Sequence, residues 1–279
     1  MAEGLRGVHA YWRVPGRRPR AYRQLAAATW MLSVLSWRRH AGPVELYADA
    51  PTTDWLAGLG WLDLYDRTTP LDDTGLDHRY DRSACFALPK LLALARFPDA
   101  VLVDTDAYLL APLRLTGPGS HFAHLEVGDG DFYAGLRGLC NPAGVDLPDA
   151  PGLVGNTALF RAADRALADR ISATGLAFLD GNPATPGRDP HLHMTVAEQV
   201  LATDLTVRAG QPVTSIFAAR WSTRSLRWLS PPPAFGHLWN LKRGGGAEQI
   251  VEVFTMIRRI LVSDYGVAPG QLRVALEQA

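Results

Sequence analysis

Two carboxylates one residue apart, Asp104 and Asp106, follow the apolar, β-branched run Val101-Leu102-Val103. Such a run reads as a buried strand, and the C-terminal end of a strand is where an open α/β sheet binds its ligands. Paired carboxylates there are costly unless a cation or strong donors neutralise them. A divalent ion with oxygen ligands, keeping positions free for substrate phosphates, meets that need. The same spacing fits a plain turn, with Asp104 capping it and Asp106 solvated. Taken alone, D-x-D leaves both readings open.

Composition removes several function classes. A chain of 279 residues buries a full core, and its 28 basic residues balance 28 acidic ones, so no cationic excess invites nucleic acid. Cys85 and Cys140 are too few for a disulfide framework. The start Met1-Ala2-Glu3-Gly4-Leu5-Arg6 lacks the apolar core of a signal peptide. The uncharged stretch Gln24 to Trp37 is too short to span a bilayer and fits a buried helix. A cytoplasmic protein without a membrane span is expected. Among the 28 basic residues only Lys90 and Lys242 are lysines, the bias of a GC-rich genome. A lysine kept under that bias points to a need for a compact ammonium rather than a planar fork, although two residues also fit chance.

The elements that must position these residues follow from periodicity. Gly7 to Tyr11 reads as a first strand, Ala21 to His40 as a long helix and Val44 to Tyr47 as a second strand ending at Asp49. A short helix begins at Thr53, capped by Thr52 or Thr53, and Leu62 to Tyr65 reads as a third strand. Thr68 to Arg82 is polar and loop-like, and Cys85 to Arg96 is a helix feeding the strand before Asp104. This βαβα alternation predicts a parallel, doubly wound sheet. In the second half, His121 to Val127 and Thr157 to Arg161 read as strands. Gly128 to Asp131 reads as a polar turn and Asp180 to Pro190 as a loop. Ala162 to Leu179, Met194 to Ala202 and Glu248 to Val262 read as helices. No repeat or linker divides the chain. One domain over residues 1–279 is expected, with 1–113 as the nucleotide- and metal-binding half and 114–279 as the acceptor half and C-terminal lid.

Four motifs, in order along most of the chain, resemble the GT-A class of nucleotide-sugar glycosyltransferases. The likeness is to bacterial glycosyltransferase-like proteins distantly akin to the glycogenin group. Pro89-Lys90-Leu91 leading to Asp104-Thr105-Asp106 is similar to that family's helix and metal-binding strand. Gly155-Asn156-Thr157-Ala158 resembles its Asn-x-Gly acceptor-side strand, with Ala158 in place of glycine. Glu198-Gln199 is similar to its Asp-Gln pair near the reacting sugar. His237-Leu238-Trp239-Asn240-Leu241-Lys242 resembles a C-terminal loop whose His binds the metal and whose Lys binds the diphosphate, one residue shorter here.

The resemblance implies a GT-A, Rossmann-like α/β fold with a mostly parallel central sheet flanked by helices. It implies a Mn2+- or Mg2+-dependent transfer of a sugar from a nucleoside diphosphate donor, a UDP-sugar, to an unidentified acceptor. Metal ligands would be Asp104, Asp106 and His237. Tyr11, Asp49, Lys90 and Lys242 would face the donor, with Lys90 on phosphate or ordering Asp106. Asn156 and Asp131 would face the acceptor. Glu198 or Gln199 would lie below the anomeric carbon if configuration is retained; Glu198 or Asp131 would be the base if it is inverted. Each residue has a bland reading as well: His237 structural, Lys242 a solvated charge, Glu198-Gln199 an exposed helix face, Asn156 a turn cap, Asp131 a turn residue and Tyr11 core.

Two rival functions stand beside the transferase. The altered Asn-x-Gly motif and the shortened His-Lys spacing fit a degenerate fold used as a binding module. An Asp-x-Asp after a strand also fits a haloacid-dehalogenase-like phosphatase, although Tyr108 stands where that family's motif ends in Thr or Val.

Overall fold

The structure, a computed structural model, describes residues 4–14, 19–72, 76, 79–128, 131–149, 151–181, 190–217, 220–221, 234–238, 241, 246–270, 272 and 277. In chain order the elements begin with β1 (Gly7–Tyr11), α1 (Arg20–His40), β2 (Val44–Ala48), α2 (Ala50–Gly58) and β3 (Arg67–Pro70). Next come α3 (Leu88–Arg96), β4 (Val101–Val103), β5 (Ala107–Leu109), β6 (Ser120–Phe122), β7 (Leu125–Val127) and α4 (Asp131–Ala134). These lead to β8 (Leu153–Gly155), β9 (Leu159–Arg161), α5 (Arg165–Asp180), α6 (Pro190–Thr195), α7 (Leu201–Arg208) and β10 (Val213–Ser215). The chain closes with β11 (Arg220–Trp221), β12 (Phe235–His237) and α8 (Ala247–Ser263).

The expected α/β architecture is present. A seven-stranded sheet has the order β10-β6-β9-β4-β1-β2-β3, and only β9 runs antiparallel to its neighbours β4 and β6. Alternation along β4 sends Val101 and Val103 into one apolar cluster and Leu102 into the other, as a strand buried on both faces requires. One cluster packs α1 and α8 on the sheet, and the other packs α3, α5 and α7 on the opposite face. Arg38 and Arg39 in the last turn of α1 complement its dipole.

Several boundaries differ from the sequence reading. Asp49, not Thr52 or Thr53, caps α2, its carboxylate accepting from Thr52 N at 3.2 Å. Leu62–Leu64 form a single 3-10 turn, and the third strand is β3, inside the segment read as loop. The stretch His121 to Val127 splits at Ala123 and His124: β6 joins the large sheet while β7 pairs with β8 and β11. Pro89 sits in the first turn of α3, where its missing N–H costs nothing. Of the expected turn and loop, residues 129–130 and 182–189 lie outside the described residues.

Candidate functional site

β4 delivers Asp104 and Asp106 to the C-terminal edge of the sheet, and a turn closed by Ala107 N donating to Asp104 O at 3.0 Å separates them. The chain then forms β5, which pairs antiparallel with β12 so that Ala107 faces His237 and Tyr108 faces Gly236. Leu238 N also donates to Asp106 O at 3.2 Å. Backbone pairing therefore carries His237 to the two aspartates. Its Nε2 lies 3.5 Å from Asp104 Oδ2 and 3.5 Å from Asp106 Oδ1. One ligand atom from each of the three residues lies within 4.8 Å of the others.

Burial works against charge on His237, but the carboxylates of Asp106 and Asp104 outweigh it and raise its pKa to about 9. Burial likewise opposes ionisation of Asp104. The Lys90 ammonium and the hydrogen bond from His237 prevail and hold its carboxyl below the usual range. Two carboxylates and an imidazole converging this closely are the donor set of a divalent cation. Ligands at about 2.1 Å from an octahedral ion lie about 3 Å apart when adjacent and about 4.2 Å apart when opposite, and the two 3.5 Å distances fall between those values. The three residues fit such an ion.

Lys90, near the start of α3, reaches Asp104 Oδ1 at 2.7 Å and Thr157 O at 2.9 Å, and it pairs with Glu198. Its three N–H groups are thereby engaged, and it orders Asp104 rather than Asp106. Thr157 Oγ1 donates to Glu198 Oε1 at 2.6 Å. Glu198 and Gln199 occupy a π-helical turn, Val196–Val200, inserted between α6 and α7, in which Leu201 N donates to Val196 O. Such turns recur at functional sites because the extra residue re-aims side chains. Burial raises the Glu198 carboxyl pKa, with Lys90 partly offsetting it. Gln199 is half-buried, and its carbonyl accepts from Thr203 Oγ1 at 2.8 Å.

The other expected residues are placed as follows. Asp49 is fully buried, capping α2 and paired with Arg82, whose guanidinium stands 4.9 Å from the Trp12 ring centroid. Tyr11 is half-buried and packs edge-on against Trp30 at 4.7 Å. Asn156 is buried with both ends of its amide engaged: Nδ2 donates to Glu126 Oε1 at 2.9 Å and Oδ1 accepts from Ala158 N at 3.0 Å. Asp131 begins the short α4. Lys242 and Trp239 lie outside the described residues.

Sequence reasoning missed the support beneath Asp104. Ser33 Oγ donates to Asp104 O at 3.3 Å, and Ser36 Oγ accepts from Leu109 N at 3.0 Å, so α1 grips the aspartate loop at both ends. Behind Ser33 runs a buried chain. Trp30 Nε1 donates to Tyr65 OH, which lies 2.8 Å from His9 Nδ1, and His9 Nε2 lies 3.1 Å from Ser33 Oγ. Burial lowers the His9 pKa to about 3, so the imidazole is neutral, and the serine donating onward to Asp104 places the His9 proton on Nε2. Thr29, Ser33 and Ser36, at helical spacing on an otherwise apolar helix face, were the available signal.

No protein-family model and no curated protein matches the chain. Among solved structures, it is similar to mouse xyloside xylosyltransferase 1 in its apo form. That likeness has 11% identity and a TM-score of 0.37, over 75% of this chain and 82% of that one. It is also similar to the apo structure of the bifunctional glycosyltransferase WbbM, with 9% identity and a TM-score of 0.36, over 78% of this chain but only 39% of WbbM. Both neighbours are glycosyltransferases by description. No described helix is long and apolar enough to cross a membrane.

Proposed function

We propose that this chain is a metal-dependent glycosyltransferase that moves a sugar from a nucleoside diphosphate donor, a UDP-sugar, to an acceptor hydroxyl. The observation that carries the reading is the convergence of Asp104, Asp106 and His237 at the C-terminal end of β4. That edge is where doubly wound sheets bind ligands. The imidazole among the ligands favours Mn2+ over Mg2+. Held there, the ion would stabilise the negative charge that develops on the leaving diphosphate.

The remaining chemistry belongs to the protein. Lys90 fixes Asp104 in position and supplies positive charge that needs no reorganisation as the bond breaks. Glu198 and Gln199, on the π-helical turn beside Asp104, take the place next to the reacting sugar. If configuration is inverted, Glu198 accepts the acceptor proton, a role favoured by the raised proton affinity that burial gives it. If it is retained, Glu198 or Gln199 lies below the anomeric carbon. Lys242 is assigned the β-phosphate, Tyr11 the nucleoside side, which Asp49 shapes from within through α2 and Arg82, and Asp131 the acceptor side. Asn156 shapes the site from within, its amide ends already taken.

The test is release of nucleoside diphosphate from a panel of nucleotide sugars, with manganese and with chelator, by wild type and Asp106→Asn. Manganese-dependent release lost in the variant supports the proposal. Equal release by both proteins, or trapping of a phosphoryl group on Asp104, overturns it.

A further inference from the structure

A second group of buried polar side chains lies next to the cluster, outside the chemistry above. Glu126 of β7 is 4% exposed. Its Oε1 accepts from Asn156 Nδ2 at 2.9 Å and lies 3.1 Å from His124 Nε2, while Oε2 accepts from Tyr133 OH at 3.0 Å. Burial opposes ionisation of Glu126, but its bonds with His124, and with Asn156 and Tyr133, outweigh it and keep the carboxyl below its usual range. Burial holds His124 on the neutral side, its pKa lowered despite Glu126. Glu126 is therefore a carboxylate in the core held by neutral donors. Such a group is expensive to bury, and a packing role alone gives no reason to keep it.

What this carboxylate holds is the bend at residues 156–158. Asn156, fixed by Glu126, accepts from Ala158 N at 3.0 Å. The bend then makes three contacts with the reaction cluster. Thr157 O accepts from Lys90 Nζ at 2.9 Å, Thr157 Oγ1 donates to Glu198 Oε1 at 2.6 Å, and Ala158 O accepts from Asp104 N at 2.8 Å. A metal ligand, the buried lysine and the carboxylate beside the sugar all lean on one bend, and the bend leans on Glu126.

We infer that Glu126 is a positioning residue for the proposed transfer, acting through Asn156 on the bend that sets Asp104, Lys90 and Glu198. The inference rests on the glycosyltransferase reading for the reaction it serves, not for the geometry it sets. In Glu126→Gln one of the two acceptor oxygens becomes an N–H donor and the charge that draws Asn156 and Tyr133 is lost, which loosens the anchor of the bend. Pairing it with Asn156→Asp reverses the donor and acceptor at that contact and keeps the net charge. Neutral His124 adapts by moving its proton to the other ring nitrogen.

The experiment measures two things in wild type, Glu126→Gln and the Glu126→Gln/Asn156→Asp swap. One is kcat and KM for donor turnover in manganese; the other is the backbone amide resonances of Asp104 and Ala158. The expected result is a kcat about 10–100-fold lower in the single variant, the usual size of an outer-shell effect. Donor KM should be little changed, both amide resonances should move, and the swap should restore both readouts. Wild-type kcat with unmoved amides in Glu126→Gln overturns the inference. If the single variant does not fold, a folded swap with wild-type amides and turnover sustains it, and a folded swap without them overturns it. Amides that move in a protein whose wild type turns over no donor keep the positioning of the bend and sink the transferase reading instead.

Discussion

His237 Nε2 stands 3.5 Å from Asp106 Oδ1, and the main chain rather than either side chain brings them together. Asp106 precedes β5, His237 ends β12, and the register sets His237 opposite Ala107. The other ring nitrogen of His237 is buried without a hydrogen-bond partner among the described residues. Among them, the strand pair sets where the ring stands.

That dependence makes Gly236 critical. A Cβ there would lie 2.2 Å from Tyr108 Cζ, whereas one at Gly246 meets nothing within 4 Å. Gly236→Ala should cost about 1–3 kcal/mol of stability, the usual size of core overpacking, and should weaken manganese binding because the strand carrying His237 must shift. Gly246→Ala, at the N-cap of α8, should cost only the smaller amount of a cap change and leave manganese binding unchanged. Chemical denaturation and manganese titration of the two variants check this, and equal behaviour would mean that the strand pair does not set the site.

Lys90 should matter to stability as well as turnover. Its side chain is 7% exposed between Asp104 and Glu198. Lys90→Met should therefore cost about 2–4 kcal/mol by leaving two partly buried carboxylates uncompensated. Adding Glu198→Gln should recover part of the loss, since the two residues share one interaction. Lys90→Arg should recover little, because a planar fork does not match three converging acceptors. Urea unfolding in chelator provides the numbers; a loss below about 1 kcal/mol for Lys90→Met would place the ion pair outside the energetics of the core.

The raised pKa of His237, about 9, fixes the sign of the pH dependence. Its folded value lies above the unfolded value of about 6.5. The stability it adds to the metal-free protein is therefore full below about pH 6.5 and lost as pH rises through about 9. A ligating imidazole must be neutral, so manganese binding at pH 7 should release about one proton, and affinity should climb with pH up to about 9. Calorimetric titration in two buffers of different ionisation enthalpy measures the proton. Identical heats in both buffers would remove His237 from the ligand set.

Lys242→Ala should weaken binding of uridine diphosphate in the presence of manganese by about 1.5–3 kcal/mol, the size of a charge-assisted hydrogen bond. Lys242→Arg should regain only part of that. Unchanged affinity in Lys242→Ala would withdraw the phosphate role.

The sheet and its aspartate pair were legible in the sequence because a short β-branched run and a strand-end carboxylate pair are local signals. Asp49 as the cap of α2 was not, because two threonines nearby are equally good caps by type. The π-helical turn at Glu198 was hidden because its residues have the same apolar spacing as the α-helices around it. Glu126 was hidden differently: its partner Asn156 lies 30 residues away, and only the split of His121 to Val127 into strands of two separate sheets brings them together. The polar seam of Ser33 and Ser36 was visible in the α1 pattern, but what it holds, the loop of Asp104, depends on packing of α1 against β5.

The most direct test of the central claim is electron paramagnetic resonance of manganese titrated into wild type, Asp104→Asn, Asp106→Asn and His237→Ala, each with and without uridine diphosphate. Outer-shell changes alone cost about 10–100-fold in metal affinity, so loss of a ligand should cost at least about 100-fold. The account predicts one bound ion in wild type, tighter with the nucleotide, and that loss in each variant while their unfolding in chelator remains cooperative. Manganese that does not bind wild type, or binds all four proteins alike, would contradict it.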